Sequence, residues 1–135
     1  MMKKTICLIL LLSMILMLAG CMNSNKTADA VIDYGESEQY SLEDRKTALE
    51  LILNEVGSWE GVKKLHNVRY GGDEASSAEK GYGGYEDIMV FYSDFKTVSN
   101  SSKAGAFNTN TEYTDWNWIL GKDANGQWKL LTWGY

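Results

Sequence analysis

The chain has 135 residues with 13 basic and 18 acidic side chains, one histidine, two cysteines and no proline. A formal net charge of −5 removes the basic face that nucleic-acid binding requires, so no nucleic-acid partner is expected. It also leaves no polybasic grip on an anionic membrane surface.

The first elements, in chain order, form an address label. Met1-Met2-Lys3-Lys4 is a positive start, and an apolar run from Ile6 to Leu18 follows, broken only by Ser13. A membrane-spanning helix needs about 20 apolar residues, so this shorter run reads as a secretory signal rather than an anchor. The run closes on Leu18-Ala19-Gly20-Cys21, which resembles the lipobox of bacterial lipoproteins. The resemblance implies that residues 1–20 are a lipoprotein signal peptide, cut before Cys21. It also implies diacylglyceryl and palmitate-type chains on the Cys21 thiol, hence a membrane partner and an extracytoplasmic location. Cys7 leaves with the signal and Cys21 carries lipid, so neither a disulfide nor thiol chemistry is expected. The remaining length, about 115 residues, suits one domain.

Residues 21–39, polar and small, read as a flexible tether, with Val31 to Tyr34 as the stretch able to dock. The folded domain is expected over residues 40–135. Ser41 and Asp44 have the spacing of a helix cap, and Leu42, Leu49, Ile52, Leu53 and Val56 form one apolar stripe up to Gly57. An amphipathic helix of about fourteen residues is the result. Strands follow at 64–70, 88–95, 112–120 and 127–135, separated by a glycine-rich acidic loop at 71–87 and a polar loop near 99–110. One helix followed by strands in hairpin order predicts an α+β domain, an N-terminal amphipathic helix packed on an antiparallel sheet of about four strands.

The closing segment DWNWILGKDANGQWKLLTWGY, together with the SLEDRKTALELILNEV helix, resembles small extracytoplasmic lipoproteins of Gram-positive bacteria. Their domain is similar to the cystatin-like and nuclear-transport-factor-2-like superfamily, which implies a helix packed on a curved antiparallel sheet. That superfamily contains enzymes, transport adaptors and pure binding modules, so the fold leaves the activity open.

For catalysis the candidates are His66, the only histidine, with Asp115 or Asp94 as its partner. A metal site is not expected: DANG lacks the full calcium-loop pattern, and Asp73, Glu74 and Glu79 sit on a solvated loop tip. No phosphate cradle or other cofactor motif occurs. In the last hairpin, DANG has the chemistry of a type I turn closed by a left-handed glycine. The resulting register sums paired positions to 250 and places Trp116, Trp118, Leu120, Trp128 and Leu130 on one face, towards the helix. Asp115, Asn117, Ile119, Lys129, Leu131 and Trp133 fall on the other, where Ile119, Leu131 and Trp133 are the expected binding patch.

These readings combine into a lipid-anchored, non-catalytic binding or interaction module. Its expected partners are the membrane and either an envelope protein, a peptide, a glycan or a second copy of the chain. The alternatives are a small enzyme using His66 with an aspartate, and an accessory or inhibitor subunit of an envelope protein.

Overall fold

The computed structural model describes residues 25–135; the expectations for residues 1–24, including the signal peptide and lipid on Cys21, lie outside them. The elements are α1 (Asn25–Ala28), β1 (Val31–Asp33), α2 (Leu42–Gly57), β2 (Val62–Tyr70), α3 (Asp73–Ala78), β3 (Ile88–Thr97), α4 (Ser101–Ala104), β4 (Glu112–Lys122) and β5 (Trp128–Gly134). A single 3-10 turn covers Tyr82–Gly84.

The sheet corrects the expected fold. It has five strands in the order β1-β2-β3-β4-β5, and β1 runs parallel to β2 while every other pair is antiparallel. It is therefore a mixed, open sheet, neither closed nor curled, and not the curved four-stranded antiparallel sheet of the cystatin-like or nuclear-transport-factor-2-like superfamily. The extra strand comes from the segment read as tether: Val31, Ile32 and Asp33 pair with Asn67, Val68 and Arg69. Three residues in a parallel pairing produce neither an alternation nor a hairpin turn, the two features by which a strand is read from sequence.

The N-terminal segment is fastened at several points. Lys26 Nζ donates to Trp59 O, and burial pulls the Lys26 ammonium below its ordinary pKa against the charge of Glu60. Arg45, buried in α2, donates from its guanidinium to Tyr34 O at 2.8 Å and to Gly35 O. Asp73 accepts from Ser37 Oγ, Tyr70 OH and the Glu38 amide. The domain thus takes in residues from Asn25 onward, earlier than the boundary at Tyr40.

α2 begins where Ser41 accepts from the Asp44 amide at 3.1 Å, and Glu43 and Asp44 suit the positive end of its dipole. Its buried stripe is Arg45, Ala48, Leu49, Ile52 and Val56, whereas Leu42 is exposed. This stripe packs on Leu65, Val68, Met89, Phe91, Phe95, Trp118, Leu120 and Trp128 to form the main core. A second, smaller core of Ile88, Val90 and Ile119 lies on the opposite sheet face beneath Ala75, Tyr85, Tyr92 and Leu131. Two buried faces explain why Ile88 to Phe91 is an unbroken apolar run. The loop at 71–87 supplies that second cover: it folds into α3, whose Ser76 is 1 % exposed and accepts from the Val90 amide.

The DANG turn forms as a three-residue loop. Asp123 N donates to Gln127 O at 2.8 Å, Gly126 N donates to Asp123 O, and Gly126 has φ 80°. Pairs next to the turn, Lys122–Trp128 to Leu120–Leu130, keep the sum of 250. Beyond them Ile119 pairs with Thr132 and Trp118 with Trp133, leaving Leu131 as an extra residue on β5. The bulge returns Trp133 to the α2 side, where its ring lies 5.7 Å from Trp59 and 5.8 Å from Trp118. The expected patch of Ile119, Leu131 and Trp133 is thereby dissolved: the first two belong to the second core, and the third stands on the other face.

Candidate ligand-binding face

Even-numbered residues of β3 alternate away from α2, so Val90 enters the second core while Asp94 points to the uncovered half of that face. Two irregularities flank Asp94. On β2, Leu65 pairs with Phe95 and Asn67 with Asp94, leaving His66 as the extra residue. On β4, Ser93 pairs with Trp116 and Phe95 with Tyr113, so two residues, Thr114 and Asp115, oppose Asp94. Asp115 takes up the extra length with a φ of 55°, a left-handed conformation that aspartate tolerates better than most residues.

The outcome is a compact polar constellation. Asp94 Oδ2 accepts from Asn67 Nδ2 at 2.9 Å, and Asp94 Oδ1 accepts from the Asp115 amide at 2.9 Å and from Arg69 at 3.3 Å. Arg69 also donates to Asn67 Oδ1 at 2.7 Å and to the Asp115 carboxylate. Its guanidinium carbon lies 5.8 Å from the centre of the Tyr92 ring. Burial pulls the Asp94 carboxyl upward, but the Asn67 and Asp115 donors and the Arg69 charge outweigh it and hold Asp94 below the usual carboxylate range. Beside this group, Asn117, paired with Tyr92 across the strands, has its Oδ1 buried with no donor in reach. Desolvating an acceptor without a partner costs free energy that an incoming donor would recover.

His66 lies outside this constellation and next to it. Its Nε2 is 2.8 Å from Glu112 Oε2, on side chains 36 % and 53 % exposed. The expected partners Asp94 and Asp115 bond to Arg69 instead, which corrects the anticipated histidine–aspartate pair. An open cleft of about 350 Å³ lies between Tyr40, Ser76, Lys80 and Asp87, and none of His66, Asp94, Asp115 and Glu112 lines it. Among the described residues, no group of three or more histidine, cysteine, aspartate or glutamate side chains gathers to hold a metal, and no helix is long and apolar enough to cross a membrane.

Asn67, Arg69, Tyr92, Glu112 and Asn117 escaped the sequence reading. Their signal was the spacing Val62, Leu65, Val68, Tyr70, whose intervals of three break strand parity at the two irregular points of β2. Allowing for a bulge in HNVRY puts Asn67 and Arg69 side by side opposite the core.

No known protein-family model matches the chain, and neither a curated protein nor a solved structure does.

Proposed function

We propose that the chain is a lipoprotein held by Cys21 at the outer face of the cytoplasmic membrane, where its domain is a non-catalytic interaction module for a polar peptide or glycan of the envelope. The leader and its Leu18-Ala19-Gly20-Cys21 ending support the anchor, as does the resemblance to small Gram-positive lipoproteins. The observation that carries the module is the use made of Arg69. Both carboxylates nearest to it, Asp94 and Asp115, are bonded to it, and so form a fixed pattern of donors and acceptors rather than a proton carrier. That pattern stands on three rigid strands, beside the Tyr92 ring and the unpaired Asn117 carbonyl, an arrangement suited to recognition.

Two measurements test this reading. Intact-mass analysis of the membrane fraction should find a mature chain beginning at Cys21 with a diacylglyceryl increment; a soluble, unmodified chain cut elsewhere refutes the anchor. For the module, soluble cell-wall muropeptides added to isotope-labelled mature protein should shift the amide signals of Arg69, Tyr92, Asp115 and Asn117. An Arg69→Ala variant that stays folded should lose the response. Shifts confined to other parts of the sheet would refute this face.

Catalysis by His66 is the second reading, and the 2.8 Å contact with Glu112 favours it, since a carboxylate orients an imidazole for proton transfer. His66→Ala separates the two: it leaves the muropeptide response intact in a binding module.

A further inference from the structure

The chain closes on Thr132-Trp133-Gly134-Tyr135. In a regular strand Trp133 and Tyr135 would follow Lys129 and Leu131 onto the sheet face turned away from α2. The extra residue at Leu131 reverses this. Trp118 then lies opposite Trp133 and Asn117 opposite Gly134, which brings Tyr135 beside Trp116 with ring centres 5.3 Å apart. Two neighbouring rows of the α2 side therefore end, at the outer strand, in an exposed ring each. Trp133 is 42 % exposed and Tyr135 82 %. Residues two apart on a strand stand about 7 Å from one another, a spacing on the scale of successive rings in a sugar chain.

The two rings are backed by others. Trp133 leans on Trp118 and Trp59, with ring centres 5.8 Å and 5.7 Å away, and Tyr135 also stacks on Tyr113. An outer aromatic surface with such a backing loses little freedom when a ligand settles on it. β5 pairs only with β4, so no further strand covers this edge.

The polar atoms here narrow the ligand. Three indole N–H groups donate inside the domain, from Trp59 to Glu55, from Trp118 to Ser93 and from Trp128 to Asp44. The two that find no acceptor among the described residues are those of Trp116, which is buried, and Trp133. A surface short of acceptors suits a ligand that brings them. Charge then selects among such ligands: residues 21–135 hold 18 acidic and 11 basic side chains, so a phosphate, a carboxylate or a second acidic copy meets repulsion and a neutral acceptor does not.

We propose that Trp133 and Tyr135 form a stacking ledge for a neutral glycan built of N-acetylated pyranose rings. The apolar C–H face of each sugar lies on a ring, and the ring, hydroxyl and acetamido oxygens face the indole N–H donors. This is a second site, on the sheet face opposite the Arg69 constellation, and it needs neither that site nor the lipid.

The test adds chitotetraose, a chain of N-acetylglucosamine without peptide, to isotope-labelled mature protein. The indole N–H signal of Trp133 and the amide signals of Gly134 and Tyr135 should shift and saturate at millimolar sugar. Trp133→Ser should weaken binding about tenfold, as expected for the loss of one stacked ring. Trp133→Phe, which keeps a ring and removes the N–H, should lose less and guards against a folding defect. The Arg69→Ala variant should respond like the parent. Absence of any shift at millimolar sugar overturns the ledge. Shifts at Arg69, Tyr92 and Asn117 instead overturn it while supporting the first face as the glycan site. A Trp133 signal that moves with protein concentration in the absence of sugar makes a second copy the occupant, and a response to muropeptides but not to chitotetraose makes it a peptide; either result overturns the proposal.

Discussion

Trp118 joins the two kinds of packing that this small domain uses. Its ring is fully buried and stacks 5.2 Å from Trp59, and its Nε1 donates to the buried Ser93 hydroxyl at 2.8 Å. Truncation to alanine removes the ring and orphans Ser93, so Trp118→Ala should cost about 3–5 kcal/mol and lower the melting temperature sharply. Trp133→Ser, at a ring already 42 % exposed, should cost about 1–2 kcal/mol and leave the domain folded. Equal melts for the two variants would refute this assignment of core and rim. Asp94 makes a pH prediction. Its folded pKa is depressed, so its contribution is complete above the ordinary carboxylate range and is lost as pH falls through the folded value. Asp94→Asn should therefore be less stable than the parent near neutrality by about 1–3 kcal/mol. The gap should close below about pH 4, as read by urea unfolding at a series of pH values. A gap that stays constant with pH would show that the charge is not what Asp94 contributes.

At the scale of elements, α2 and the DANG hairpin were the most legible because each is specified locally: a cap and stripe in one, turn chemistry in the other. What the sequence hid is non-local. The register of β4 and β5 follows the turn for three pairs and then slips at Leu131; Ile119 and Leu131 stay in the second core, and the extra residue carries Trp133 across to the α2 side, against Trp59 and Trp118. Gly121 shows how closely the second core is packed, since a Cβ there would lie 2.7 Å from the Tyr85 ring and 2.8 Å from Leu131. The candidate face was half legible: His66, Asp94 and Asp115 are close together on the sheet, but Arg69 redirects both aspartates, and no spacing rule ties Arg69 to residues 25 and 46 positions away. β1 depends on Arg45, whose buried guanidinium holds the carbonyls of Tyr34 and Gly35. Arg45→Met should free the segment from Asn25 to Gln39. Limited proteolysis then cuts there in the variant and spares it in the parent; an uncut variant would mean that the β1–β2 pairing holds the segment unaided.

For the molecule as a whole, uneven charge carries a stability cost. Segments 33–44, 70–89 and 120–129, around the end of the sheet where β2 finishes and β3 begins, hold eleven carboxylates and three lysines; the carboxylates repel one another, and salt screens that repulsion within about 10 Å at 0.1 M. Adding sodium chloride from near zero to 0.15 M should raise the melting temperature. Neutralising Glu74, Glu79 and Glu86 to glutamine should flatten the dependence, and a parent whose melt ignores salt would contradict it. The position of β1 has a further consequence, for the order in which the protein is made. β1 is the outermost strand, paired only to β2, so without it the antiparallel pairings among β2, β3, β4 and β5 remain, and only the β2 edge and the Arg45 guanidinium wait for their partners. On the lipoprotein reading, the acyl-transfer and cleavage enzymes work on Cys21 at the membrane, only four residues from Asn25. An edge strand can stay undocked while they act and add itself to a finished sheet afterwards, so maturation and folding need not compete for the same stretch of chain.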